Sequence, residues 1–544
     1  MKKALACATG LALLFGILTG CSTSQGTAQP NENSQSGAAA EAKPMVLHWS
    51  INSEPPSLDP GIAVDADSFD MIYAAFEGLT SYDLNGELTN ATAESFTASP
   101  DFTKYTFKIR PDAKWSNGDP VTAHDFVYAI KRNLDPKTAS EYAYQLYYIK
   151  GGEEYNTGKG SADDVGVKAL DDHTVEFTLK SPTPFFRELT FFPTLFPLHQ
   201  KTVESNPQWA AEAATIVGNG PFIMEEWEHK VKIAFVKNDN YWDKENVKLD
   251  RLEISMIDDN NTAFSMFENG DLDWGGYPAS TLPPDVIPSL KDAGTLMVAS
   301  NPGTQSVVFN TTKPPFNNKK IRQAFSYSID RQAIIDNILQ TGVPAAYGWV
   351  PSSMGLKPEG FFKEDPQKAK QLLEEGMKEL GLTTFPSVTY TFDTTDMNKK
   401  LAEALQDQWK QTLGVDVKLY TAELKVYRDM RSQANFDMIR FQWGADFNDP
   451  INFLEMFRDK TGGNNHPDWE NPKFKELIDQ SYSEPDLEKR KQILLEAETI
   501  LMEEMPLAPI NFRGNPYVKN DKVKDFVIFP LGGAYFKYAS VAAE

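Results

Sequence analysis

Side chains able to do covalent or metal chemistry are scarce in this 544-residue sequence. The six histidines, His48, His124, His173, His199, His229 and His466, fall at no metal-ligating spacing. No Gly-x-Ser-x-Gly elbow or glycine-rich phosphate loop appears. Both cysteines lie within the first 21 residues, so from Ser22 onward neither an internal disulfide nor a cysteine metal site can form. Zinc-finger and thiol-protease readings fall with them, and neither metal nor cofactor is expected. The one thiol in a telling place is Cys21. It follows Met1-Lys2-Lys3, an apolar run to Leu18, and Thr19-Gly20. A basic start followed by a short apolar run has the form of a secretory signal peptide and is too short for a spanning helix.

The Leu-x-Gly-Cys ending is similar to the bacterial lipobox, which implies a signal peptide over residues 1–20 and a diacylglycerol-modified Cys21 as the first mature residue. Two or more acyl chains anchor firmly where one binds marginally. Residues 22–44 are mostly small and polar and predict a flexible leash with a reach of roughly 25 Å. No later stretch carries the roughly 18 apolar residues needed to cross a bilayer, so the expected location is the extracytoplasmic face of a bacterial membrane, touched through lipid alone. With 76 acidic against 53 basic residues the formal charge is −23. Bulk positive charge for nucleic acid is therefore excluded. The length exceeds a single domain of roughly 100 to 200 residues, and no short fixed repeat suggests a solenoid.

The elements that position side chains alternate irregularly between strand and helix, which predicts α/β layers. Residues 45–51 and 104–110 alternate as strands, the latter with Tyr105, Phe107 and Ile109 on one face. Thr122 and Asp125 open a helix carrying Phe126, Ile130 and Leu134, and 174–180 is a strand. A single helix is expected over 321–340. Another over 399–412 has Leu401, Leu405 and Trp409 in a stripe and ends at Gly414. Strands follow at 415–420 and 436–441, the stretch 424–441 reads as hairpin-like, and helices follow Pro472 and Pro485. Residues 509–544 return to extended, aromatic-rich segments.

Several blocks then occur in order: Ser53-Glu-Pro-Pro-Ser-Leu-Asp-Pro60, Phe76-Glu-Gly-Leu79, Lys114-Trp-Ser-Asn-Gly-Asp-Pro-Val-Thr-Ala123, Asn219-Gly-Pro-Phe222, Asn310-Thr-Thr-Lys-Pro-Pro-Phe316, Arg322-Gln-Ala-Phe-Ser326 and Trp443-Gly-Ala-Asp-Phe-Asn-Asp-Pro450. Over residues 44–544 the chain resembles the OppA-like oligopeptide-binding lipoproteins of ABC importers, solute-binding family 5. The resemblance implies the two-lobed periplasmic-binding-protein fold (class II, cluster C type) with an extra subdomain in the first lobe. Carried over, lobe I is 45–68, 189–300 and 511–544, the subdomain is 69–188, lobe II is 301–510, and the crossings near 300 and 510 form a hinge. The implied partners are a peptide and the importer's transmembrane subunits, with the protein itself a monomer.

A receptor indifferent to peptide sequence must hold the ammonium, the main-chain amides and the carboxylate. The resemblance places the ammonium on Asp446, which read alone is rather an Asx-turn residue before Asn448-Asp449-Pro450. It places main-chain pairing on Gln442, Trp443 and Gly444, and Glu54 across the cleft. Arg440 and Arg431 match carboxylate-binding arginines, whose forked guanidinium suits bidentate binding. The alternative for each is a surface ion pair. Tyr128 matches a cleft tyrosine, although a helical aromatic is equally a core residue. Asn398 stands where the family has a histidine for short peptides. Leu339 and Leu424 replace a lysine and a tryptophan, and Gly303 and Gly444 replace a disulfide pair, so length preference does not transfer. Alternatives within the fold are murein tripeptide, a dipeptide, a signalling peptide or nickel. Outside it stand a hydrolase using paired carboxylates and chaperone-like holding.

Overall fold

Period-two alternation builds the first sheet. In the computed structural model, which describes residues 43–460 and 464–542, the strand Val46–Ile51 buries Leu47, Trp49 and Ile51. It runs parallel to Arg251–Met256, and Lys232–Lys237 and Phe222–Glu228 complete four strands. The signal segment, Cys21 and the leash as far as residue 42 lie outside the described residues.

A second four-stranded antiparallel sheet is made by Ala93–Ala98, Lys104–Ile109, Thr174–Thr178 and Val167–Asp171. Tyr105, Phe107 and Ile109 are buried on its covered face, as their spacing predicts. The helix Ala123–Leu134 packs on it through Phe126, Ile130 and Leu134. It starts where expected because Asp125 accepts the Thr122 N–H at 2.7 Å, satisfying a donor the first turn would leave orphaned.

The third sheet has six strands in the order Trp274–Gly276, Leu507–Lys519, Met297–Phe309, Met438–Gly444, Val388–Asp393 and Val417–Ala422. Met297–Phe309 and Leu507–Lys519 pair antiparallel from Met297 opposite Tyr517 to Val308 opposite Leu507, with a register shift between Ser300 and Thr304. Such irregularity bends and twists a strand locally. Met438–Gly444 pairs with the first of them along its whole length, so Gly444 lies opposite Gly303. On its other edge it meets Val388–Asp393 only at Met438 and Ile439.

Helix Asp396–Leu413 buries Leu401, Leu405 and Trp409 and ends at Gly414, whose φ of 71° needs no Cβ. Pro472–Ser483 and Leu487–Glu504 pack side by side. Two expectations change. The single helix over 321–340 is interrupted: Lys319–Tyr327 is followed by Arg331–Ile334 and a wider turn over Ile335–Leu339. The buried Arg331 causes the break, because its guanidinium donates to the carbonyls of Ser326 at 3.2 Å, Ile329 at 3.1 Å and the distant Pro509 at 2.7 Å. Asp330 then caps the new helix, accepting from the Ala333 N–H at 2.9 Å. The stretch read as hairpin-like opens instead with the helix Leu424–Ser432, which buries Tyr427.

Candidate functional site

The strand Met438–Gly444 delivers its chain end to a cavity of about 640 Å³ bounded by Tyr144, Tyr148, Trp443, Asp446, Phe447 and Glu455. Asn452, turned back by the short helix Ile451–Leu454, accepts from the Asp446 N–H at 3.2 Å and from Trp443 Nε1 at 3.0 Å. One amide oxygen therefore sets the positions of the carboxylate and the indole together. Phe447 anchors the loop, stacking on Phe185 at 4.6 Å with 5° between the rings, and Tyr148 meets it edge-on at 6.5 Å.

Among the described residues no cation lies within ion-pair reach of Asp446. Burial raises its pKa, opposed by the hydrogen bond with Asn452. Glu455 is raised the same way and accepts from Tyr482 Oη at 2.5 Å. The nearby cations are committed elsewhere: Lys180 to Glu153 at 2.7 Å and Arg458 to Asp479 at 2.5 Å. A half-buried carboxylate without a counter-charge can receive a cation brought from outside.

Behind the cavity, the main chain of residues 440–444 has Met297–Phe309 on one edge and, among the described residues, no strand on the other. Such an edge can accept an added strand. Trp443, Gln442 and Gly444 sit on it together, next to Asp446. Arg440 occupies the same strand but is tied down, with Nη1 3.2 Å from Asp393 Oδ2 and Nη2 3.0 Å from Gln442 Oε1. Asn398 donates its amide to the other oxygen of Asp393, so it acts on Arg440 through that carboxylate. Arg431 places its guanidinium 5.2 Å from the Phe441 ring centre and 5.7 Å from that of Tyr427, and its buried Nε has no partner among the described residues. Its charge, after burial, helps push His466 down to about 4.

Glu54 and Tyr128 are not gathered into this cavity. Glu54 bonds His229 and lines a separate hollow of about 450 Å³ with Trp209 and Trp227. Tyr128 is half-buried on the helix Ala123–Leu134, where burial raises its pKa. Sequence reasoning missed Asn452, Asp393, Tyr144 and Tyr148. The blocks that flag Asp446 end at Pro450, and nothing in local spacing marks a residue that acts by folding back.

The model of the bacterial extracellular solute-binding proteins, family 5, matches residues 87–465. This chain belongs to that family. Oligopeptide-binding protein OppA of Bacillus subtilis (strain 168) is 44% identical over 547 residues, covering 99% of each chain. The unliganded open form of the periplasmic murein tripeptide binding protein MppA superposes with a TM-score of 0.85 at 31% identity, covering 92% of this chain and 98% of the other. Listeria monocytogenes OppA bound to peptide, also 31% identical, reaches only 0.64 over 92% of this chain and 100% of the other. A second structure of MppA, from Escherichia coli, scores 0.66 at the same identity, covering 92% and 99%. Equal identity with unequal superposition separates conformation from ancestry. The molecule has the family's two-lobed α/β fold, in the arrangement of the unliganded open relative.

Proposed function

We propose that this protein binds peptides in extended form between its lobes and presents them to an ABC importer, as the solute-binding component rather than an enzyme. The observation that carries the reading is Asp446, a half-buried carboxylate that has no cation among the described residues, standing at the end of a strand edge over residues 440–444 that none of them pairs. A peptide ammonium supplies the missing charge, and the peptide main chain the missing strand. Similarity to an oligopeptide-binding protein along the whole chain supports the same ligand class. Resemblance to the murein tripeptide protein does not single out murein peptides, because its open form scores 0.85 and a second structure of the same protein 0.66, in the range of the oligopeptide-binding relatives.

In this reading lobe I comprises 45–68, 189–300 and 511–544, the subdomain 69–188, and lobe II 301–510. The register shift between Ser300 and Thr304 serves as part of the hinge. Arg440 and Arg431 face the carboxylate end, with Asp393 and Asn398 orienting Arg440, and Glu54 and Tyr128 meet the ligand only after closure. Cys21 carries the lipid that holds a monomer at the outer face of the membrane. Ligand bridging both lobes shifts the equilibrium toward the closed form by its differential affinity for the two states.

Calorimetry with a free tetrapeptide and its N-acetylated form tests the site. Acetylation is expected to weaken binding at least a hundredfold, and equal affinities would remove Asp446 from its role. Small-angle scattering with saturating peptide is expected to show compaction, and an unchanged radius of gyration would sink the closing model.

A further inference from the structure

Arg513 lies on the strand Leu507–Lys519, two strands away from Met438–Gly444 in the sheet. Its side chain nevertheless crosses the intervening strand. A Cβ built on Gly303 would lie 2.4 Å from Arg513 Cδ and 3.0 Å from Cγ, and one built on Gly444 would lie 2.8 Å from Nη1. Gly303 and Gly444 are direct cross-strand partners. Neighbouring strands are roughly 4.8 Å apart, so the arginine stem covers about two strand spacings only because both residues beneath it lack side chains. Together the two glycines form a channel that delivers one guanidinium to the edge where Gln442, Trp443 and Gly444 stand.

At that edge the guanidinium is half-buried and makes no hydrogen bond or ion pair among the described residues. Arg440, the charged side chain that acts on it most directly, has the same sign, and Tyr277 supplies a phenol but no fixed charge. Asp393, the carboxylate close to Arg440, is already held by it and by Asn398. A guanidinium brought this far, left without an acceptor and crowded by a like charge, is arranged for an anion that arrives with the ligand.

We infer that Arg513 binds a carboxylate of the peptide near its N-terminal end and so selects acidic ligands. The inference rests on the peptide reading above. Gly444 precedes Asp446 by two residues, about 7 Å of extended chain. A carboxylate at Arg513 therefore belongs to one of the first three ligand residues: an acidic side chain, or the terminal carboxylate of a very short peptide. Arg440 and Arg431 remain for the far end of longer ligands.

The experiment measures affinities of tetra-alanine carrying Glu or Gln at position 1, 2 or 3, and of tri-alanine as free acid or amide, for the unaltered protein and R513Q. At one position the unaltered protein is expected to prefer Glu over Gln at least tenfold, and R513Q to bring that ratio to within twofold of one. If instead the acid-to-amide ratio is the one that collapses, the carboxylate is the terminal one, and Arg513 is still its partner. G444A keeps the arginine but blocks its channel, and is expected to reproduce the loss of discrimination; it also serves if R513Q does not fold. Ratios that are already near one in the unaltered protein, or that survive both substitutions, overturn the inference. Failure of every peptide to bind the unaltered protein would instead refute the peptide reading itself.

Discussion

Arg490 grips Asp449 with both terminal nitrogens, Nη1 to Oδ2 at 2.7 Å and Nη2 to Oδ1 at 2.9 Å. The pair is buried three residues beyond Asp446, and Arg490 Nε also donates to the Ser481 carbonyl at 3.1 Å. The loop that presents Asp446 is thus bolted to the helix Leu487–Glu504. R490M leaves the Asp449 charge buried and unpaired, and is expected to cost about 3 to 5 kcal/mol of stability in urea unfolding. R490M combined with D449L is expected to recover part of that loss, since no uncompensated charge remains. A double variant no more stable than R490M would contradict this account.

Glu498 is fully buried and accepts the Trp349 and Val350 N–H groups at 2.9 and 2.8 Å. Burial pushes its carboxyl up to about 8, against those two bonds. In the unfolded chain the group titrates near 4.5, so between these values the folded protein holds a proton that the unfolded chain has lost. The stabilisation is complete below about pH 4.5 and disappears as pH rises through about 8. E498Q keeps the acceptor oxygen and removes the titration. The difference in melting temperature between E498Q and the parent is expected to grow from pH 5 to pH 8, and a difference that stays flat would rule the mechanism out.

Asn219 clamps the main chain of Glu77, accepting its N–H at 3.0 Å and donating to its carbonyl at 2.9 Å. This is how the Phe76-Glu-Gly-Leu79 and Asn219-Gly-Pro-Phe222 blocks, far apart in sequence, meet. N219A orphans two buried main-chain groups, at about 1 to 3 kcal/mol each. A lowered denaturant midpoint with an unaltered m-value is expected. A midpoint matching the parent would show that water replaces the amide without penalty.

Asp393 orients Arg440 and is itself held by Asn398. D393A is expected to weaken binding of free-acid peptides on the order of tenfold, about 1.4 kcal/mol, and amidated peptides less. Equal losses for acid and amide would assign Asp393 to packing rather than to the carboxylate end.

Much of this protein was written locally. The buried stripe of Leu401, Leu405 and Trp409, the cap of Asp125 on Thr122, and the strand face of Tyr105, Phe107 and Ile109 follow from near-neighbour periodicity, which a linear chain states outright. Asp446 could be placed at a strand end because its block continues that strand. The break before Arg331 could not be read, since one of the three carbonyls that hold its guanidinium belongs to Pro509, 178 residues away. The partner of Asp446, the buttress of Arg440 and the channel that carries Arg513 to Gly444 were equally hidden. Each depends on which strands lie side by side and in what register, and register is decided by packing across the whole sheet rather than by the residues on either side. The sequence alone determined the family's chemistry and the class of elements; tertiary structure decided, among the described residues, which carboxylate stayed without a cation, which strand edge stayed open, and which arginine was carried to it.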